Sequence, residues 1–205
     1  MVDKKGNLVV ISAPSGTGKT TIVKQLMLND KNIKASVSYT TRNIRPNETH
    51  GLDYVFVALQ TFESMIVQNM FLEFAKVFDH FYGTPTKETL EALNQGYTII
   101  LEIDWQGAKQ IRLKRPESMS IFLLPPSKEE LKKRLTSRAT DSSEQIELRF
   151  QEAIKDIEQY SYFDRVIINK NIDSTCDEII SFVNKPNASE PAVNEEALEV
   201  IRSFI

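Results

Sequence analysis

Four consecutive apolar residues, Leu8 to Ile11, three of them β-branched, read as a buried strand. Runs of the same kind return at Thr98–Ile103 and Ser120–Leu124, and a shorter one at Arg165–Asn169. Helical patterns lie between them, from Lys19 to about Leu28, from Gln106 to Lys114 and from Asp173 to Val183. Ser127 and Glu130 stand at capping-box spacing and open a helix to about Arg138. Residues 139–143 are polar, and a second helix then runs to about Tyr160. Its Ile146, Phe150, Ala153, Ile154 and Ile157 fall on one face. Apolar strands alternating with helices predict an α/β fold, a parallel sheet with helices flanking both faces.

Residues 36 to about 95 break that alternation. Tyr54–Val57 reads as a strand, Thr61–Met70 as a short helix and Phe71–Phe78 as an extended piece. Pro85–Asn94 reads as a helix, with Pro85 in its first turn and Gly96 just beyond its end. This stretch is an inserted mixed α+β lobe, residues 36–96, and the core is 1–35 plus 97–205. The tail carries Pro186 and Pro191, then an amphipathic segment around Leu198–Phe204. That face suits packing on the body or self-association into a homo-oligomer.

Composition narrows the function classes. A chain of 205 residues, 41% hydrophobic, suits one domain with insertions. Lys plus Arg number 25 and Asp plus Glu 28, a net charge of -3, which disfavours a nucleic-acid partner but leaves room for a local cationic pocket. Cys176 is the single cysteine, so neither an intrachain disulfide nor a thiolate metal cluster can form. His50 and His80 have no partner at ligand spacing. The N-terminal apolar run is too short for a secretory signal, and no stretch approaches the ~18 apolar residues of a spanning helix. A cytoplasmic protein with no membrane partner is expected.

The sharpest motif is Ala13-Pro14-Ser15-Gly16-Thr17-Gly18-Lys19-Thr20. It fits the phosphate-loop pattern G-x-x-x-x-G-K-[ST] with Ala13 at the first position. A strand precedes it and a helix follows, as the chemistry requires. Gly16 and Gly18 let the backbone curl so that amides point inward at a phosphate. The helix dipole adds to them. Lys19 can reach the β- and γ-phosphates of a nucleoside triphosphate, and the Thr20 hydroxyl can join the coordination of Mg²⁺. Ala13 adds only a methyl, which is tolerated at negative φ.

A hydroxyl-rich stretch follows, Ser36-Val37-Ser38-Tyr39-Thr40-Thr41-Arg42-Asn43-Ile44-Arg45-Pro46. Arg42 and Arg45 can clamp one phosphate with forked hydrogen bonds, and Tyr54 and Tyr82 can add phenolic donors. Residue types alone leave open a solvated surface loop. Taken in order, the phosphate loop, S-V-S-Y-T-T-R-x-x-R-P, G-x-D-Y-x-F-V, F-L-E-F-A, F-Y-G-T and L-E-I-D-W-Q-G-A resemble guanylate kinase over about residues 6–184. The resemblance implies phosphorylation of GMP to GDP by ATP, with Mg²⁺, in purine nucleotide metabolism. It also implies a P-loop kinase core, a GMP-binding lobe and a helical lid at 135–150.

On that resemblance Arg42, Arg45, Tyr54 and Tyr82 hold the GMP phosphate. Ser38, Glu73 and Thr84 read guanine, Gly83 belongs to the same motif, and Glu102 and Asp104 face the nucleotides. The chemistry agrees: guanine presents two donors, N1–H and the 2-amino group, and a carboxylate such as Glu73 is an acceptor-only match. dGMP is expected to be the weaker substrate. By strand alternation Glu73 shares a face with Phe71, Ala75 and Val77. Residue type alone also fits a carboxylate at the core edge beside an arginine. Arg134 and Arg138 share a helix face and Arg149 follows on the next helix. The resemblance makes all three lid arginines that converge with Lys19 on the transferring phosphoryl. Lys128, Lys132 and Lys133 nearby leave open a solvated cationic face. Ala139 stands where the family has a glycine that eases lid hinging, and Ile44 and Asn47 where it often has Pro and Gly. The alternative function is a non-catalytic guanylate-kinase-like module that binds proteins.

Overall fold

The first apolar run forms β1 (Leu8–Ser12), every residue of it buried. A glycine turn leads into α1 (Lys19–Asn29), then β2 (Ile33–Ala35). β3 (Tyr39–Thr40), β4 (Val55–Phe56), α2 (Leu59–Val67), β5 (Phe71–Val77), β6 (His80–Pro85) and α3 (Thr86–Asn94) follow. The chain then returns to longer elements: β7 (Thr98–Glu102), α4 (Trp105–Lys114), β8 (Met119–Leu124), α5 (Lys128–Thr136) and α6 (Ser143–Ile157). A 3₁₀ turn at Tyr160–Tyr162, β9 (Arg165–Ile168), α7 (Ile172–Asn184) and α8 (Glu195–Phe204) complete it. This computed structural model describes residues 6–77, 79–136, 143–185 and 190–205.

Five strands make one sheet in the order β2-β7-β1-β8-β9, every neighbouring pair parallel. Period-2 alternation sends β1 side chains to two cores. Val9 and Ile11 pack with Ile22, Val23 and Leu26 of α1 and Cys176, Ile179 and Phe182 of α7. Leu8 and Val10 pack on the other face with side chains from α4, α5, α6 and α8. Parallel strands need both faces covered, so near-continuous apolar runs are what these positions require. β1 is central: β7 flanks it on one side and β8 on the other. Ligands in such sheets bind beyond the carboxyl ends of strands that diverge in this way, and the glycine turn lies there.

The second sheet is mixed, in the order β4-β3-β6-β5. β3 pairs parallel with β4 and antiparallel with β6, and β5 pairs antiparallel with β6. Its aromatic cluster holds Phe62 and Met65 of α2 against Phe71, with Tyr39, Phe74 and Phe81 around them. Phe62 stacks on Phe71 at 4.6 Å between centroids.

Four details differ from the sequence expectation. β2 is a partly buried edge strand of three residues, too short for a periodic signal. β6 is a strand absent from the apolar pattern, because Gly83 and Thr84 interrupt it. Pro85 closes β6, and the helix starts one residue later at Thr86. A β-bulge between Phe71 and Glu73 breaks the alternation: Phe71 pairs with Pro85 but Glu73 with Thr84. Phe71 therefore joins Phe74 in the aromatic cluster and does not share a face with Glu73.

The Ser127 cap is made, with Oγ accepting from the Glu130 N–H at 3.2 Å, but Glu130 turns its own carboxylate forward to Arg134. The tail packs on its own body. Ala197, Ile201 and Phe204 are buried in the core, and the Ala192 carbonyl accepts from Val166 N–H on the β9 edge. No helix among the described residues is long and apolar enough to cross a membrane.

Candidate active site

The phosphate loop is held open by backbone that only glycine adopts readily. Gly16 has φ +88° and Gly18 φ +97°. Ala13 is not in that region; among the described residues Asn69 is the only non-glycine with positive φ. Three side chains brace the loop from behind. Asn169 Nδ2 donates to the Thr17 carbonyl at 2.7 Å, and Arg134 Nη1 donates to the same oxygen at 3.0 Å. Arg149 Nη2 donates to Ser15 Oγ at 2.6 Å. Two of the expected lid arginines thus meet the loop, Arg149 at Ser15 and Arg134 at Thr17. Arg138 and Ala139 lie outside the described residues.

On the open side, Lys19 Nζ donates to the Ile103 carbonyl at 3.1 Å, just past the end of β7. Thr20 Oγ1 donates to Glu102 Oε1. Asp104 caps α4, its Oδ1 accepting from the Gly107 N–H at 2.9 Å. Asp156 of α6 is drawn into the same corner. Burial, then repulsion from Asp104, pushes its carboxyl up to about 7, against the opposing pull of Lys19.

Across the cleft, Arg42 and Glu48 form a forked pair at 3.0 and 2.7 Å. Glu48 Oε2 also accepts from the Arg45 N–H at 2.9 Å. Burial works against both charges, but the pair outweighs it: Glu48 titrates below, and Arg42 above, its ordinary value. The Arg42 guanidinium lies 5.4 Å from the Tyr54 ring centre, and Tyr54 packs edge-on to Tyr82 at 5.8 Å. Burial and then Glu102 hold the Tyr54 phenol protonated, a donor at any working pH.

Glu73 is 2% exposed. Its Oε1 accepts from Thr84 Oγ1 at 2.6 Å and from the Thr84 N–H at 3.1 Å. Burial pushes its carboxyl up to about 7, with the Thr84 hydroxyl opposing and Asp104 adding to the rise.

A cleft of about 1060 Å³ joins these parts. Its walls include Ser15, Lys19 and Thr20 on one side, Ser38, Arg42, Arg45, Tyr54 and Tyr82 on the other, and Glu102 and Asp104 at the base. Glu73 and Thr84 are buried off its wall. Gly83 packs against the aromatic cluster: a Cβ there would stand 2.9 Å from the Phe71 ring. Sequence reasoning missed Glu48, Asn169 and Asp156. Asn169 carries a signal, a polar residue just past a buried strand at the carboxyl edge of the sheet. Glu48 carries one too, an acid six residues from Arg42. Asp156 carries none, because its helix face is legible only once the cleft exists.

Residues 5–186 match the guanylate kinase family model. A guanylate kinase from Chromohalobacter salexigens is 41% identical over 98% of this chain and 94% of its own length. One from Haemophilus ducreyi is 44% identical over 94% of this chain and 96% of its own. The crystal structure of guanylate kinase from Anaplasma phagocytophilum superposes with a TM-score of 0.75 at 32% identity, covering 91% of this chain and 88% of that one. With the phosphate loop, the facing arginine–tyrosine group and the two sheets already in place, these matches lead to one conclusion: the chain belongs to the guanylate kinase family.

Proposed function

We propose a division of labour among this chain's residues for the family's reaction, in which ATP phosphorylates GMP to give ADP and GDP. A GMP phosphate oxygen forms a bond to the γ-phosphorus. The bond from that phosphorus to the β–γ bridging oxygen breaks, and ADP leaves with the electron pair. The acceptor is already an anion, so no strong general base is required, and positioning with charge stabilisation carries the rate. The observation that carries the assignment is the single cleft in which Lys19 and Thr20 face Arg42, Arg45, Tyr54 and Tyr82.

The amides of residues 13–20 and Lys19 hold the ATP phosphates. Arg149, tied to Ser15, meets the transferring group from the α6 side, and Arg134 keeps the loop in shape through Thr17. Arg138 completes the lid set. Arg42, Arg45, Tyr54 and Tyr82 hold the GMP phosphate, with Glu48 keeping Arg42 in place. Ser38, Glu73, Thr84 and Asp104 read the guanine. Oε1 of Glu73 is engaged by Thr84, so Oε2 is the oxygen left to the base.

Mg²⁺ fits this donor set. It takes one or two protein oxygens and completes its shell from phosphates and water. The paired Thr20 hydroxyl and Glu102 carboxylate at the mouth of the loop are oxygens of that kind. When bound, the ion would neutralise phosphate charge in the transition state. We place the reaction in the cytoplasm, with dGMP as the weaker acceptor. Nothing in the comparisons favours a protein-binding module.

The test is ADP release with MgATP and, in parallel, GMP, dGMP, AMP, UMP, CMP and dTMP. Turnover with GMP, less with dGMP and none with the others is expected. Equal use of AMP would sink the guanine-reading assignment.

A further inference from the structure

We infer that one face of α4, made by Gly107, Gln110 and Lys114, is the seat that positions Glu73 and so sets selectivity for guanine. The inference rests on the reading of Glu73 as the residue that meets the base.

Each contact is specific. Lys114 Nζ donates to the Leu72 carbonyl at 2.6 Å. Gln110 Nε2 donates to the Phe74 carbonyl at 2.7 Å, and Gln110 Oε1 accepts from the Phe74 N–H at 3.3 Å. The residues before and after Glu73 are thus both held by α4, at the point where the bulge interrupts β5. The spacing 107, 110, 114 places all three on one helix face. A bulged strand has lost ladder hydrogen bonds and gains twist, so its side-chain direction is poorly fixed by the sheet alone. β5 is also the edge strand of its sheet, and the α4 side chains hold the backbone groups on its free side.

Gly107 does something different. Glycine is a poor choice inside a helix, and here φ is not the reason for it, since Gly107 is absent from the positive-φ residues. The reason is space. A Cβ at Gly107 would overlap Glu73 Oε2 and stand 3.0 Å from the Glu73 carboxyl carbon. Its N–H is meanwhile fixed by Asp104. Gly107 therefore sets how far the Glu73 carboxylate reaches and joins it to Asp104, the other acid of the site. The strand that carries Glu73 belongs to the second sheet, while its alignment comes from a helix of the first.

The test compares kcat/KM for GMP and for IMP, which lacks the 2-amino group, at saturating MgATP. The proteins are the parent, Glu73→Gln, Gly107→Ala and Gln110→Ala, each with its KM for ATP and its thermal midpoint. Glu73→Gln should lower the GMP-to-IMP ratio roughly tenfold to a hundredfold, the worth of one hydrogen bond to a charged group. Gly107→Ala should lower that ratio to a similar degree and Gln110→Ala several-fold, with KM for ATP unchanged. If both α4 variants slow GMP and IMP alike while Glu73→Gln lowers the ratio, the seat is overturned and the base reading stands. An unchanged ratio in Glu73→Gln overturns the base reading and the seat with it. Should Gly107→Ala fail to fold, Gln110→Ala decides alone.

Discussion

The two halves of the cleft are built on opposite plans. The proposed donor half is local: residues 13–20 supply amides, lysine and hydroxyl from one turn, with Asn169, Arg134 and Arg149 reaching it from outside. The acceptor half is assembled from residues far apart in sequence, with Arg42, Tyr54, Glu73, Tyr82 and Asp104 arriving on separate elements. Contiguous backbone shapes the first half, while a side-chain ion pair and a buried acid on separate elements shape the second. A local device fails where one of its own groups is removed. A dispersed one fails where a supporting contact is removed, at residues that never meet a substrate.

Lys19→Ala should give the largest effect. On the proposed assignment it removes a point charge at the transferring phosphoryl, and kcat should fall roughly 10²- to 10³-fold, as when one transition-state donor is lost. KM for GMP should hardly move, because the acceptor half stays intact. A steady-state assay varying each substrate in turn separates these. Next is Glu48→Ala, which leaves every proposed substrate contact in place. The forked pair it breaks is largely shielded, with the two side chains 11% and 16% exposed. Arg42 then loses its fixed orientation, and KM for GMP should rise on the order of tenfold, with KM for ATP unchanged. A fall in KM would show Glu48 competing with the phosphate for Arg42.

The same contrast decides what could be read from the sequence. The phosphate loop, β1 and the strands at 98–103 and 120–124 are legible because buried parallel strands and a glycine-rich turn are contiguous signals. The family's remaining motifs named the proposed acceptor residues, but not their arrangement. Alternation put Glu73 beside Phe71, and the bulge separated them. Pro85 fits a first helical turn and a strand end equally well, since it lacks an N–H in either place. Glu48, Asn169 and the α4 face contact residues on other elements, and spacing along one strand or helix carries no record of that. The tail's amphipathic pattern was clear, but a pattern does not name its partner. Here it is the molecule's own core.

A third effect tests the buried acid of the acceptor half through stability. Glu73 titrates at about 7 in the folded chain against an ordinary 4.5. Between these values the folded state binds the proton more tightly than the unfolded one, so stability falls as pH rises. The contribution is complete below about pH 4.5 and is lost as pH passes 7. Glu73→Gln keeps an acceptor for Thr84 but has no charge to bury. Its stability relative to the parent should therefore be near neutral at pH 4.5 and rise by up to a few kcal/mol at pH 8. Urea midpoints at the two pH values check the sign, and a gain that appears only at low pH would reverse it. Asp156 shifts in the same sense but is present in both proteins, so the difference isolates Glu73.

The smallest effect belongs to the one ion pair among those described that joins α1 of the donor half to the loop before β4. Lys24 Nζ stands 3.6 Å from Asp53 Oδ1, with the lysine side chain 63% exposed. Asp53 also accepts from the Thr49 N–H at 2.9 Å, so the carboxylate shapes its own loop whether or not the lysine is present. An exposed pair of this kind contributes about 0–1 kcal/mol and is screened by salt. Lys24→Ala should accordingly raise KM for GMP by less than about fivefold, the ceiling that 1 kcal/mol sets. The rise should vanish when parent and variant are compared at high ionic strength. Asp53→Ala should do more, and salt should not erase it, because it also removes the Thr49 hydrogen bond. If Lys24→Ala alone shifted KM tenfold at high salt, the two halves would be coupled through α1 more tightly than a surface pair allows. The description of a self-contained donor loop facing a separately assembled acceptor site would then have to be given up.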